Sequence, residues 1–78
     1  KMIKEYQSVA DISGPLLLVE SVEDAHYGEL AEIELPDGSF RKGQVLEVHQ
    51  DKVLIQVFEG TQGIDIPKTK VRFLGRGI

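Results

Sequence analysis

The sequence predicts an all-β fold, and within that class a small, closed, six-stranded antiparallel barrel. Alternation of apolar and polar residues recurs along the 78 residues, whereas the spacing typical of an amphipathic helix is nearly absent. Turn signals rich in glycine, proline and aspartate separate these runs at short intervals. There is no cysteine and so short a chain forms only a thin core, so stability must come from packing or from neighbouring subunits. We expect a single domain over residues 1–78.

The first two strands are predicted on either side of a Ser-Gly-Pro turn at residues 13–15. Residues 6–12 form the first strand. Residues 16–19 are four consecutive apolar residues, a pattern consistent with a strand buried on both faces. The polar residues 21–28 are predicted to form a loop before the next strand.

Two hairpins in series follow this loop. In residues 29–35, three apolar side chains alternate with two glutamates, and a Pro-Asp-Gly turn at 36–38 then reverses the chain. Residues 40–49 form the next strand, within which Gly43 predicts a bulge or a tight bend. Residues 52–58 alternate again and complete the second hairpin.

A glycine-flanked loop at 59–63 and a last strand at 69–74 bring the total to about six strands. A small all-β chain avoids exposed strand edges by closing its sheet, which is why we expect a closed barrel. One face of each alternating run supplies the predicted core: Val9, Leu16, Leu18, Ile33, Leu35, Val45, Val53, Ile55, Val57, Val71 and Phe73.

A second set of apolar residues remains on the face opposite this predicted core. The set comprises Leu46, Val48, Leu54 and Phe58. One small barrel does not need two apolar faces, and in a monomer the outer one would be a liability.

The composition and motifs exclude several classes of chemistry. The net charge is −4 and the isoelectric point is near 5.0, which disfavours nucleic acid as a partner. The phosphate-loop pattern G-x-x-x-x-G-K-[ST] does not occur, and the glycine-rich residues 60–63 have neither its lysine nor a helix behind them. His26 and His49 are too far apart for a local metal motif.

No apolar run approaches the roughly 20 residues that span a bilayer. We therefore expect no direct membrane contact, and we expect no catalytic, cofactor-binding or metal-binding residue.

Three segments resemble the non-catalytic B subunits of archaeal and vacuolar-type rotary ATPases. Residues 14–20, Gly-Pro-Leu-Leu-Leu-Val-Glu, resemble the segment that leads into the second strand of that family, and residues 41–48, Arg-Lys-Gly-Gln-Val-Leu-Glu-Val, resemble one of its hairpins. The most specific segment is 56–65, Gln-Val-Phe-Glu-Gly-Thr-Gln-Gly-Ile-Asp. Its phenylalanine and Gly-Thr pair favour the B subunit over the catalytic A subunit, which usually has Gln-Val-Tyr-Glu-Glu-Thr there. The resemblance covers about residues 3–75.

This resemblance implies an N-terminal β-barrel from a larger subunit, without its nucleotide-binding and C-terminal domains. In the family, three A and three B subunits alternate in a ring, and their barrels form a crown far from the membrane, on the cytoplasmic side. The expected partners are therefore catalytic A subunits. We expect part of the second apolar set, with Gly60 and Gly63, to face one of them.

Two features stand apart from this interpretation. Residues 75–78 do not match a continuation of the family. The alternative function is that of an OB- or SH3-like barrel that binds nucleic acid or peptide, and an electrophoretic shift with oligonucleotides at low salt would separate the two.

Overall fold

The computed structural model describes residues 4–75, which form one antiparallel sheet of seven strands and a short 3₁₀ helix. The all-β class is therefore confirmed. In chain order the elements are β1 (Glu5–Tyr6), β2 (Val9–Ser13), β3 (Leu16–Val19), β4 (Leu30–Glu34), β5 (Phe40–His49), β6 (Lys52–Val57), the 3₁₀ helix (Ile66–Lys68) and β7 (Lys70–Phe73). Across the sheet the strand order is β1-β7-β4-β5-β6-β3-β2.

The predicted closed, six-stranded barrel is wrong in strand number and in closure. Gln7 and Ser8 divide the predicted first strand, so that β1 pairs with β7 while β2 pairs with β3. These two short strands lie at opposite ends of the sheet order, and within residues 4–75 no ladder joins them. The result is an open, curled sheet. The sheet has to curl, because only Gln7 and Ser8 connect β1, at one end of the strand order, to β2, at the other end.

The hairpins lie where the alternation predicted them. β4 pairs with β5 from Leu30 opposite Gln44 to Glu34 opposite Phe40, and β5 pairs in turn with β6.

The turn between β4 and β5 uses the predicted turn chemistry. Gly38 has a φ of 89°, in the region that favours glycine. One carboxylate oxygen of Asp37 accepts hydrogen bonds from the Ser39 backbone N–H at 2.9 Å and from the Ser39 hydroxyl at 2.6 Å. The bond from the Ser39 side chain is the main reason why the pKa of Asp37 is lowered.

Gly43 lies where two strands approach too closely for a side chain. A Cβ atom at this position would lie 2.7 Å from the backbone oxygen of Gln56 and 2.7 Å from Cγ2 of Ile55. The register of β5 against β6 is regular at Gly43 and shifts only between Val45 and Glu47. Gly43 is thus required by space, and the bulge predicted there lies further along the strand.

The core occupies the concave face of the sheet and confirms most of the predicted set. Of that set, Leu16 and Leu18 are wrong, because Leu17 and Val19 are the fully buried residues of β3. Leu17 lies opposite Ile55, which fixes its side chain on the inner face. The buried residues are Val9, Leu17, Val19, Val22, Ala31, Ile33, Leu35, Val45, Val53, Ile55, Val57, Val71 and Phe73.

Loops cover the margins of the core. In the loop before β4, Val22 is buried and its N–H donates to the backbone oxygen of Asp51 at 2.9 Å. Near the 3₁₀ helix, Ile64 and Ile66 pack against the core. Within residues 4–75, no helix has the length and apolar character needed to cross a membrane.

Candidate interaction surface

The convex face of the sheet carries an apolar belt on β3 and β6. We define the apolar belt as Leu16, Leu18, Leu54 and Phe58. Leu18 lies directly opposite Leu54, so the two side chains share the outer face. Leu16, Leu18 and Leu54 are half-buried, whereas Phe58, directly after β6, is 55% exposed. The belt therefore presents apolar surface that this chain covers only in part.

The bulge in β5 changes where two of the predicted interface residues lie. Leu46 is the extra residue of the bulge and is half-buried. Beyond it, Glu47 lies opposite Leu54 and Val48 lies opposite Val53. Val48 thus lies on the inner face at a strand end, so the expectation that it shares the outer face with Leu54 is wrong.

Leu54 and Phe58 do belong to the apolar belt, but whether any predicted residue contacts another protein chain stays a prediction.

The remaining two predicted residues, Gly60 and Gly63, lie in the loop after β6. Nη1 of Arg41 donates a hydrogen bond to the Gly60 backbone oxygen at 2.8 Å, and the Thr61 hydroxyl donates to the Gly14 oxygen at 2.6 Å. The Gly60 N–H donates within the turn, to the oxygen of Val57 at 2.9 Å. These bonds tie the loop to the sheet. They are the bonds of a turn and do not gather free N–H groups around a phosphate.

A charged cluster occupies the other side of the convex face. Arg72 of β7 forms ion pairs with Glu5 at 2.7 Å, Glu34 at 2.7 Å and Glu32 at 3.3 Å, and its guanidinium lies 5.7 Å from the ring centre of Phe40. The hydrogen bond to Glu34 is the main cause that raises the pKa of Arg72.

This charged cluster was not predicted from the sequence. The two glutamates that alternate in β4 are visible in the sequence. The cluster forms only because β4 pairs with β7, and local patterns do not reveal that pairing.

Glu29 was also missed, and it is the buried carboxylate of the described chain. Only 5% of the residue is exposed. One oxygen accepts the backbone N–H of His26 at 2.9 Å, and the other accepts the backbone N–H of Gly75 at 2.7 Å. Among the described residues, every buried side-chain polar atom has a hydrogen-bond partner. The position is therefore built for a carboxylate.

The two histidines lie apart. The His26 ring lies 3.7 Å from a carboxylate oxygen of Asp24 and 3.8 Å from one of Glu29, while His49 lies opposite Lys52 at the end of β5. No group of three or more histidine, aspartate or glutamate side chains within residues 4–75 is arranged to hold a metal ion.

Comparison with known proteins identifies the family. A family model described as the beta-barrel domain of the ATP synthase alpha/beta family matches residues 9–75, from the start of β2 to just beyond β7. The B subunit of the A-type ATP synthase of Methanopyrus kandleri is 56% identical over 72 residues. That alignment covers 92% of this chain but only 7% of the relative, so the chain spans a small part of that protein's length. The resemblance found in the sequence is confirmed, and the chain belongs to the ATP synthase alpha/beta family, whose beta-barrel domain it contains.

Proposed function

We propose that this chain is the N-terminal barrel of the B subunit of a rotary A-type ATP synthase or ATPase, and that it acts as an assembly module. The 56% identity over 72 residues to the B subunit of an A-type enzyme is the observation that carries this proposal. In the parent complex, the barrel joins those of the catalytic A subunits in an alternating ring of three A and three B subunits. The complex is membrane-bound, and the barrel is a peripheral part on its cytoplasmic side.

The barrel contributes neither catalysis nor nucleotide binding in this proposal. Its glycine-rich loop supports that division of labour, because the Gly60 N–H, the kind of group that a phosphate cradle presents, already donates to the Val57 backbone oxygen. The nucleotide-binding and C-terminal domains belong to other parts of the same polypeptide.

The apolar belt supports a role in assembly. Partly exposed leucines beside an exposed phenylalanine are costly in water, and contact with a neighbouring barrel removes that cost. In a ring, every barrel has two neighbours, so both sides of its convex face can be covered. The candidate contact residues remain Leu46, Leu54, Phe58, Gly60 and Gly63, together with Val48, which lies on the inner face but is 40% exposed at the end of its strand.

The sheet also supports the role of a rigid collar. Antiparallel ladders link each strand to the next along the whole order from β1 to β2, and the connections between strands are short turns for the most part. Such a structure deforms little, which lets other domains of a rotary machine move while the ring stays closed.

Replacement of belt residues by lysine tests the proposal. We would introduce Phe58→Lys or Leu54→Lys into the full-length B subunit and measure ring formation with A subunits by native mass spectrometry. Gln7→Lys adds the same charge at an exposed position between β1 and β2 and is the matched control.

We expect the belt variants to lose the ring while their barrels keep the wild-type circular dichroism, and the control to assemble. Because Phe58 is 55% exposed, its replacement should leave the barrel folded even if Leu54→Lys does not. A normal ring with Phe58→Lys and with a folded Leu54→Lys variant would contradict the assignment of the belt.

A further inference from the structure

Glu29 links His26, in the loop before β4, to Gly75, just beyond the last paired residues of β4 and β7. It lies at the end of the loop before β4, and each of its two oxygens accepts one backbone N–H group. One donor is His26, in the same loop. The other is Gly75, which follows β7 in the chain and is the last described residue.

Burial of a carboxylate costs free energy unless hydrogen bonds replace those it made with water. These two hydrogen bonds therefore have to offset the cost of burying Glu29. The last backbone bond that holds this end of β7 joins the Leu74 N–H to the Leu30 oxygen at 2.9 Å. The bond from the Gly75 N–H to Glu29, at 2.7 Å, extends the attachment by one residue beyond that point.

Gly75 is also the residue at which the backbone changes direction. Its φ is 90°, in the region that favours glycine, and a Cβ atom there would meet nothing within 4 Å. The space around it would admit a side chain, so the positive φ is the reason that favours glycine here. The hydrogen bond to the buried carboxylate holds the amide of this residue.

We propose that Glu29 is a positioning residue, which holds the Gly75 backbone rigid at the end of β7. The carboxylate locks the Gly75 amide relative to β4 and thereby removes a rotation that the glycine would otherwise allow. This inference rests on the proposed function in one respect: a rigid end of β7 matters where the barrel belongs to a larger subunit.

The test uses Glu29→Leu, which fills the buried site with an apolar side chain and removes both acceptor oxygens. Glu47→Leu makes the same chemical change at an exposed glutamate that forms no ion pair within residues 4–75, and serves as the matched control. The readouts are amide hydrogen exchange and backbone ¹⁵N relaxation of Gly75, each compared with Val71 in the middle of β7.

We expect the Gly75 amide of Glu29→Leu to exchange at least about tenfold faster relative to Val71, the size of effect that loss of a charge-assisted hydrogen bond produces. Its order parameter should fall from about 0.85, typical of rigid backbone, to below about 0.6. The control should change neither. An unchanged Gly75, or an equal loss of protection at Gly75 and Val71, would overturn the proposal, because the second result would make Glu29 a residue of general stability.

A measurement on the unmodified chain covers the case in which Glu29→Leu does not fold. A scalar coupling across the hydrogen bond, between the Gly75 amide nitrogen and the Glu29 carboxyl carbon, should be detected, and Gly75 should be as rigid as Val71. A missing coupling or a mobile Gly75 would refute the inference. None of these experiments involves ring assembly, so their failure leaves the proposed function standing, and a failure to form the ring leaves the role of Glu29 standing.

Discussion

Truncation of Ile55 is the sharpest test of which face of the sheet is the core. Ile55 lies on β6 with 0% exposure, opposite Val45 on one side and Leu17 on the other, and both of these neighbours are buried. Removal of such a side chain to alanine costs about 2–5 kcal/mol, through lost burial and the cavity that remains. A domain of this size has a free energy of unfolding of about 5 kcal/mol, so Ile55→Ala should consume a large part of it.

The matched control is the adjacent residue on the same strand. Leu54 is half-buried on the outer face. Leu54→Ala should therefore lower the free energy of unfolding by only about 1 kcal/mol, because it removes less buried apolar surface than Ile55→Ala.

Thermal and urea denaturation, followed by circular dichroism, measure both variants. For a domain of this size each 1 kcal/mol lowers the melting temperature by about 4–8 °C, so a loss of about 2 kcal/mol or more should make Ile55→Ala melt at least about 8 °C below the wild type. A melting temperature for Ile55→Ala equal to or above that of Leu54→Ala would refute the assignment of the inner face.

Four further outcomes follow from the structure. Gly43→Ala should lower the melting temperature, because the new Cβ would lie 2.7 Å from a backbone oxygen of the neighbouring strand; an unchanged melting curve would contradict this close approach. Arg72→Met should increase hydrogen exchange in β1 more than in β6, because Arg72 links β1 to the sheet through Glu5; equal exchange in both strands would argue against that link. In an NMR titration the side chain of Asp37 should titrate below its ordinary pKa, and Ser39→Ala should raise it. Since the folded pKa is the lower one, the stability that this contact contributes is present above the unfolded pKa and lost as the pH falls through the folded pKa. Calorimetric titration of the chain with MgATP should show no saturable binding below millimolar concentration, and a saturable isotherm would contradict the assignment of nucleotide binding to other domains.

Alternation predicted the strands whose two faces differ in polarity. β4, β5 and β6 lie within a residue or two of the predicted ranges, and the buried residues of β4 and β6 follow the predicted face. β3 was different, because four consecutive apolar residues have no period from which to choose a face. The register against β6 makes that choice, and it is set by contacts remote in sequence.

The same limits apply to the prediction of the candidate interaction surface. Leu54 and Phe58 were predicted correctly as outer residues because they alternate with buried neighbours, whereas the bulge in β5 moved Val48 to the other face. The Arg72 cluster joins β1, β7 and β4, strands far apart in the sequence. Glu29 is one more glutamate of an acidic stretch in the sequence, and only the fold reveals its contact with Gly75. Interactions between distant strands leave no local pattern.

The division of the first strand at Gln7 and Ser8 has a consequence for the order of folding. The pairs β4–β5 and β5–β6 join strands that follow one another in the chain, so their loops close at small entropic cost. The pair β1–β7 joins the first strand to the last and has only two paired positions with which to offset its much larger loop. It should therefore form late, after the hairpins have brought β7 into place, with β1 weakly structured in the transition state. Substitutions in β1 should then accelerate unfolding and leave the folding rate nearly unchanged.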